Sequence, residues 1–122
     1  DDSAWQEGEG GFGTEGTPGA VVRTEWKTPD IWIRRTFDLP DKPLVQPALK
    51  IHHDEDAAVY FNGRLAAEVS GFTREYVTVP LDPEAVSALK SGRNVVAVHC
   101  RQTGGGQYID VGLVDIVEPP IP

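Results

Sequence analysis

The chain has 122 residues, 39% apolar and 25% charged, a balance that suits one globular domain and argues against wholesale disorder. Its 11 Lys and Arg face 19 Asp and Glu, a formal charge of −8, which repels both a phosphate backbone and an anionic membrane surface. No nucleic-acid or membrane partner is therefore expected, no apolar run is long enough to span a bilayer, and neutral ligands, cations and basic partners stay open.

Residues 1–30 are rich in glycine and poor in apolar positions, so they read as a loop-dominated entry with Trp5 and Phe12 as anchors. Val outnumbers Leu, 14 to 7, and this β-branched excess favours strands over helices. The first strand is expected over 31–37, with Ile31, Ile33 and Phe37 on one face and Trp32, Arg34 and Thr36 on the other. Trp32 is expected in the core or partly buried. A proline-punctuated loop spans 38–47, and strands are expected over 48–53 and 57–61. Asn62-Gly63 predicts a type I′ hairpin returning over 65–69, because both central residues of that turn need positive φ.

A strand over 76–79 precedes Asp82-Pro83-Glu84, which reads as a helix start: Asp at the cap, Pro at the first turn, an acid behind it. The helix is expected to run to about Lys90 and stop at Gly92. Strands over 95–101 and 108–117 complete the set, and Pro119, Pro120 and Pro122 end it. Seven short strands, one short helix and glycine- and proline-rich joints predict an all-β antiparallel β-sandwich. Cys100 lies inside the apolar run 95–100 and reads as a small buried hydrophobe. The missing Met and the start at Asp1-Asp2-Ser3 suggest that residues 1–122 are one domain cut from a longer chain.

If successive strands run up and down, the connections collect at two ends. One end gathers 38–47, Asn62-Gly63 and 80–94, and reads as structural. The other gathers 26–30, 54–56, 70–75 and 102–107, which brings together Trp26, Asp30, Asp54, Asp56, Arg74, Tyr76, Gln102, Gln107 and Tyr108. These are the candidate ligand-binding residues, since binding groups sit on loops held by a rigid scaffold. Trp26 and Tyr108, at loop borders, would stack on a sugar ring, and the carboxylates, amides and Arg74 would bond its hydroxyls.

His52-His53-Asp54-Glu55-Asp56 admits three readings: a solvated acidic turn, a calcium site using Asp54 and Asp56, or direct ligand contact. His52 and His53 point to opposite faces and cannot chelate one ion together. Gly104-Gly105-Gly106 lacks the Lys-Ser/Thr and helix of a phosphate loop, and reads as a joint between strands. His99 is expected as a satisfied interior histidine. No serine stands in a nucleophile-elbow context.

Asp54-Glu55-Asp56-Ala57-Ala58-Val59-Tyr60-Phe61-Asn62-Gly63, then Leu89-Lys90-Ser91-Gly92-Arg93-Asn94-Val95-Val96-Ala97-Val98, resembles the N-terminal sugar-binding jelly-roll domain of glycoside hydrolase family 2. Trp32-Ile33-Arg34-Arg35-Thr36-Phe37 is similar to a strand of the same domain. The entry Asp1-Asp2-Ser3-Ala4-Trp5 with Gly11-Phe12-Gly13, and the stretch 102–112, resemble galactose-binding-like accessory modules of secreted bacterial carbohydrate-active enzymes. The resemblance implies a galactose-binding-like fold, an extracellular or periplasmic setting, a parent catalytic domain in the same chain and a possible structural Ca2+. It carries over no catalytic residue. The leading expectation is a non-catalytic carbohydrate-binding module whose partner is an oligo- or polysaccharide. The alternative is a structural jelly roll that braces a catalytic domain without binding sugar. A small lyase or hydrolase using Glu55 and Glu75 is the third reading.

Overall fold

The structure, a computed structural model, describes residues 5–102 and 104–115. Its elements run β1 (Phe12–Gly13), β2 (Thr24–Glu25), β3 (Asp30–Leu39), β4 (Pro47–Asp54), β5 (Asp56–Phe61), β6 (Arg64–Val69), β7 (Val77–Pro80), α1 (Pro83–Ala88), β8 (Gly92–Arg101) and β9 (Tyr108–Asp115). They form two sheets, of order β2-β1-β9-β4-β7 and β3-β8-β5-β6. All pairings are antiparallel except the two-residue contact of β1 with β2. This is the expected β-sandwich.

The strands form because every second residue is apolar and buried against the opposite sheet. Leu49, Ile51 and Ile109 come from the five-stranded sheet, and Val59, Phe61, Val98 and Cys100 from the four-stranded one. Cys100 is fully buried, and burial pushes its thiol up to about 12, so it behaves as the small hydrophobe expected.

All seven expected strands are present: five are one to three residues longer, the strand expected over 76–79 runs over 77–80, and the last is described from 108 to 115. The entry segment holds two further short strands. Gly13 explains why: a Cβ there would lie 2.2 Å from the Gln107 carbonyl oxygen, so only glycine lets β1 lie against β9. Phe12 packs against the core as expected, whereas Trp5 is exposed and lies outside the core cluster. The helix is capped by Asp82, whose Oδ1 accepts from the Glu84 amide at 2.9 Å. It ends at Ala88, two residues early, and Gly92 opens β8 instead of capping it. The cause is Asn94. Its side chain takes both the Lys90 N–H and the Lys90 carbonyl, at 3.0 and 2.8 Å, and so pulls residue 90 out of the helix. The prolines expected to end the domain lie outside the described residues, as do Asp1 to Ala4.

The Asn62-Gly63 hairpin has φ of 51° and 85°, as a type I′ turn requires. Asn62 donates to the Ala88 carbonyl and to Asn94 Oδ1, and accepts from the Val95 amide. Asn62 and Asn94, both within the motifs that carry the family resemblance, are therefore the wiring of the structural end.

Candidate functional site

The loops expected at the second end do meet there. The Glu55 amide donates to the Arg101 carbonyl and the Gln102 amide to the Pro29 carbonyl, at 3.2 and 2.7 Å. His53, buried, places Nδ1 at 2.8 Å from the Glu55 carbonyl and 3.0 Å from that of Gly71. Carbonyls only accept, so Nδ1 carries the hydrogen. The Gly71 amide donates to Asp56 Oδ1 at 2.7 Å, which joins the 54–56 corner to the 70–75 loop. Glu55 Oε1 and Gln102 Oε1 both accept from the Gly104 amide, and Gln102 Nε2 donates to the Gly105 carbonyl. The triple-glycine joint is thus pinned by its neighbours.

This wiring corrects part of the expected site. Trp26 is 4% exposed in the core, its indole N–H bonded to Thr28 and the Asp30 carbonyl, so it presents no ring face. Tyr108 is 1% exposed; it lies under residues 17–23 and its hydroxyl donates to the Val21 carbonyl at 2.9 Å. Gln107 is buried and its amide donates to the Thr28 carbonyl at 2.8 Å. Asp54 is buried behind Gly106, and burial first, then Glu55, raises its carboxyl while His53 opposes. Gln102 is half-buried and spent on the glycine joint. These residues serve the fold, because a loop border that looks open in sequence is covered by the entry segment or tied to its neighbours.

Arg74 is exposed, its guanidinium 5.9 Å from the Phe72 ring. Tyr76 is partly exposed, but its hydroxyl donates to Asp110, and burial together with that carboxylate raises its pKa. Asp30 and Asp56 are exposed, and both flank Arg101 in register. Asp56 is bonded to Gly71 and Asp54 is sealed in, and among the described residues no group of three His, Cys, Asp or Glu side chains could hold a metal ion.

That Asp30–Arg101–Asp56 row leads onto the outer face of the four-stranded sheet. The next row in register is Trp32, His99, Ala58 and Glu68. Trp32 is 51% exposed, which meets the partly buried alternative of the expectation and not the core one. Its parity explains this: Ile31 and Ile33 take the inward places on β3. His99 is likewise on the outer face rather than interior, since Val98 and Cys100 point inward. The Trp32 and His99 rings lie parallel, 3° and 4.2 Å apart, and Tyr60 lies 6.4 Å from Trp32. Asp30 Oδ2 holds His99 Nε2 at 2.9 Å. The small Ala58 leaves a shallow depression of about 340 Å³ beside His99, rimmed by Asp56, Glu68, Ser70 and Arg101. The alternation of 30–36 and 95–101 is the sequence signal that marks this face.

No protein-family profile and no curated protein matches the sequence. Among solved structures, the FMN-binding beta-glucuronidase from Facaelibacterium prausnitzii L2-6 is similar, with a TM-score of 0.52 at 18% identity over 78% of this chain. The chain spans 16% of that protein. At this identity the likeness shows a shared β-sandwich fold.

Proposed function

We propose that this domain is a non-catalytic carbohydrate-binding module that holds a parent polysaccharide-degrading enzyme on its glycan outside the cell. One observation carries the reading: Trp32, half exposed and backed by His99, stands beside the charged groups Asp30, Arg101, Asp56 and Glu68. A ring braced on one side and open on the other offers an apolar plate to the C–H face of a sugar. Carboxylates accept from hydroxyls and arginine donates to them. The His99–Asp30 contact sets the plate before the ligand arrives, which lowers the ordering cost of binding. The beta-glucuronidase whose fold is similar acts as context for a role beside a glycoside hydrolase. A structural Ca2+ is no part of this reading.

The site is shallow, so affinity should be modest, about micromolar to millimolar. Affinity electrophoresis through gels of β-glucan, mannan, xylan and galactan tests it. Retention on at least one gel is expected, weakened at least about tenfold in Trp32→Ala with the fold intact. Retention on none overturns the reading in favour of a bracing domain.

A further inference from the structure

The open face is crossed from one edge strand to the other by a single row of side chains, and the depression beside His99 occupies its β8–β5–β6 part. β3 and β6 are the edge strands of their sheet, and Trp32 and Glu68 sit on those edges. Between them the row crosses β8 and β5 over His99 and Ala58. Along one side of this row runs Asp30, Arg101, Asp56, an alternation of acceptor, donor and acceptor at successive strands. Hydroxyls donate and accept, so an alternating rail suits them, whereas a row of one charge would select an ion. The acids of the patch and the net charge of −8 disfavour a polyanionic chain.

Three strand spacings separate β3 from β6, roughly 14 Å, which is the length of about three linked sugar rings. Resting on the carbohydrate-binding reading, we propose that the face takes an internal run of a linear, neutral glycan lying across the strands. One ring stacks on Trp32, the next passes His99, and a third settles over Ala58 with its hydroxyls on Asp56 and Arg101. Neither chain end is bound, because the row runs out onto an edge strand at both sides.

The test uses the polysaccharide that the gels retain, cut into oligosaccharides of one to six rings, with calorimetric titration. Affinity should climb at least about tenfold from one ring to three and then level off, as added contacts saturate. Reducing the terminal ring to its open-chain alditol should leave a five-ring ligand unaffected. Ala58→Phe, which fills the floor of the depression on the solvent side, should remove the gain from added rings while single-ring binding stays. Equal affinity for one ring and for five, or loss of binding on end reduction, overturns the internal mode while carbohydrate binding itself stands. Failure of every gel overturns both. If Ala58→Phe should misfold, Arg101→Ala, exposed on the same rail, gives the second measurement: its loss should be several-fold larger with three rings than with one, and an equal loss overturns the internal mode.

Discussion

The two outer faces of this sandwich carry similar residues and have opposite fates. The five-stranded sheet presents Tyr108, His52 and Tyr76, with His52 4.6 Å from the Tyr108 ring and 5.6 Å from that of Tyr76. The four-stranded sheet presents Trp32, His99 and Tyr60. In the first cluster His52 and Tyr108 are sealed by the chain's own residues 17–23, with Tyr76 exposed at the margin; the second stands open among the described residues. The seal depends on backbone contact. A Cβ at Gly19 would lie 1.7 Å from the Arg74 carbonyl oxygen, and Gly19 sits at φ +76°. An aromatic cluster on a sheet face is therefore no sign of a ligand until the path of neighbouring chain over it is known. Glycine decides that path here.

The contrast can be broken most directly by truncating one ring on each face. Tyr108→Ala should cost about 3–5 kcal/mol in urea unfolding, as removal of a buried aromatic does, while Trp32→Ala should cost less than about 1 kcal/mol. Comparable losses would mean that both faces are structural. Next in size, Gly19→Ala should destabilise by about 2 kcal/mol, from the strained φ and the collision with Arg74, with sugar binding unchanged. A wild-type urea midpoint would show that the entry segment can seat elsewhere.

The smallest effect sharpens the sealed face by pH. His52 is fully buried and neither ring nitrogen makes a hydrogen bond, though the Thr73 and Pro18 backbone lies near enough to offset part of the burial effect. Burial lowers its pKa below 6.5. The unfolded chain then takes up a proton that the fold refuses, so stability is whole above pH 6.5 and declines as the pH falls below it, by up to about 1.4 kcal/mol at pH 5.5. Asp54, raised by burial, works the other way: its contribution grows as the pH falls toward 3.8. In His52→Phe the loss between pH 7.5 and 5.5 should shrink, with stability at pH 7.5 unchanged or improved, since two unpaired polar atoms leave the interior. An unchanged slope would locate the sensitivity elsewhere.

Strands, hairpin and helix start are legible in the sequence because each rests on local chemistry: alternation over 31–37, positive φ at Asn62-Gly63, a cap at Asp82. The end at which the loops gather comes from strand parity alone. Two kinds of information are not local. Whether Tyr108 faces water depends on residues 17–23, far along the chain, crossing over it. Whether the helix stops at Ala88 depends on Asn94 reaching back to Lys90. Trp32 stays between core and partly buried in the sequence for a different reason: its size suggests the core, and its parity in the alternation decides for the outer face.

The alternation along β3, β8 and β5 has a consequence for how such a domain can change. Trp32, Arg34, Ala58, His99 and Arg101 interleave one by one with Ile31, Ile33, Val59, Val98 and Cys100, which fill the interior. Substitutions at the first set leave the second in place, so specificity can drift, or be selected from a library, while the buried core keeps its identity. One scaffold could in this way serve many different surfaces in turn.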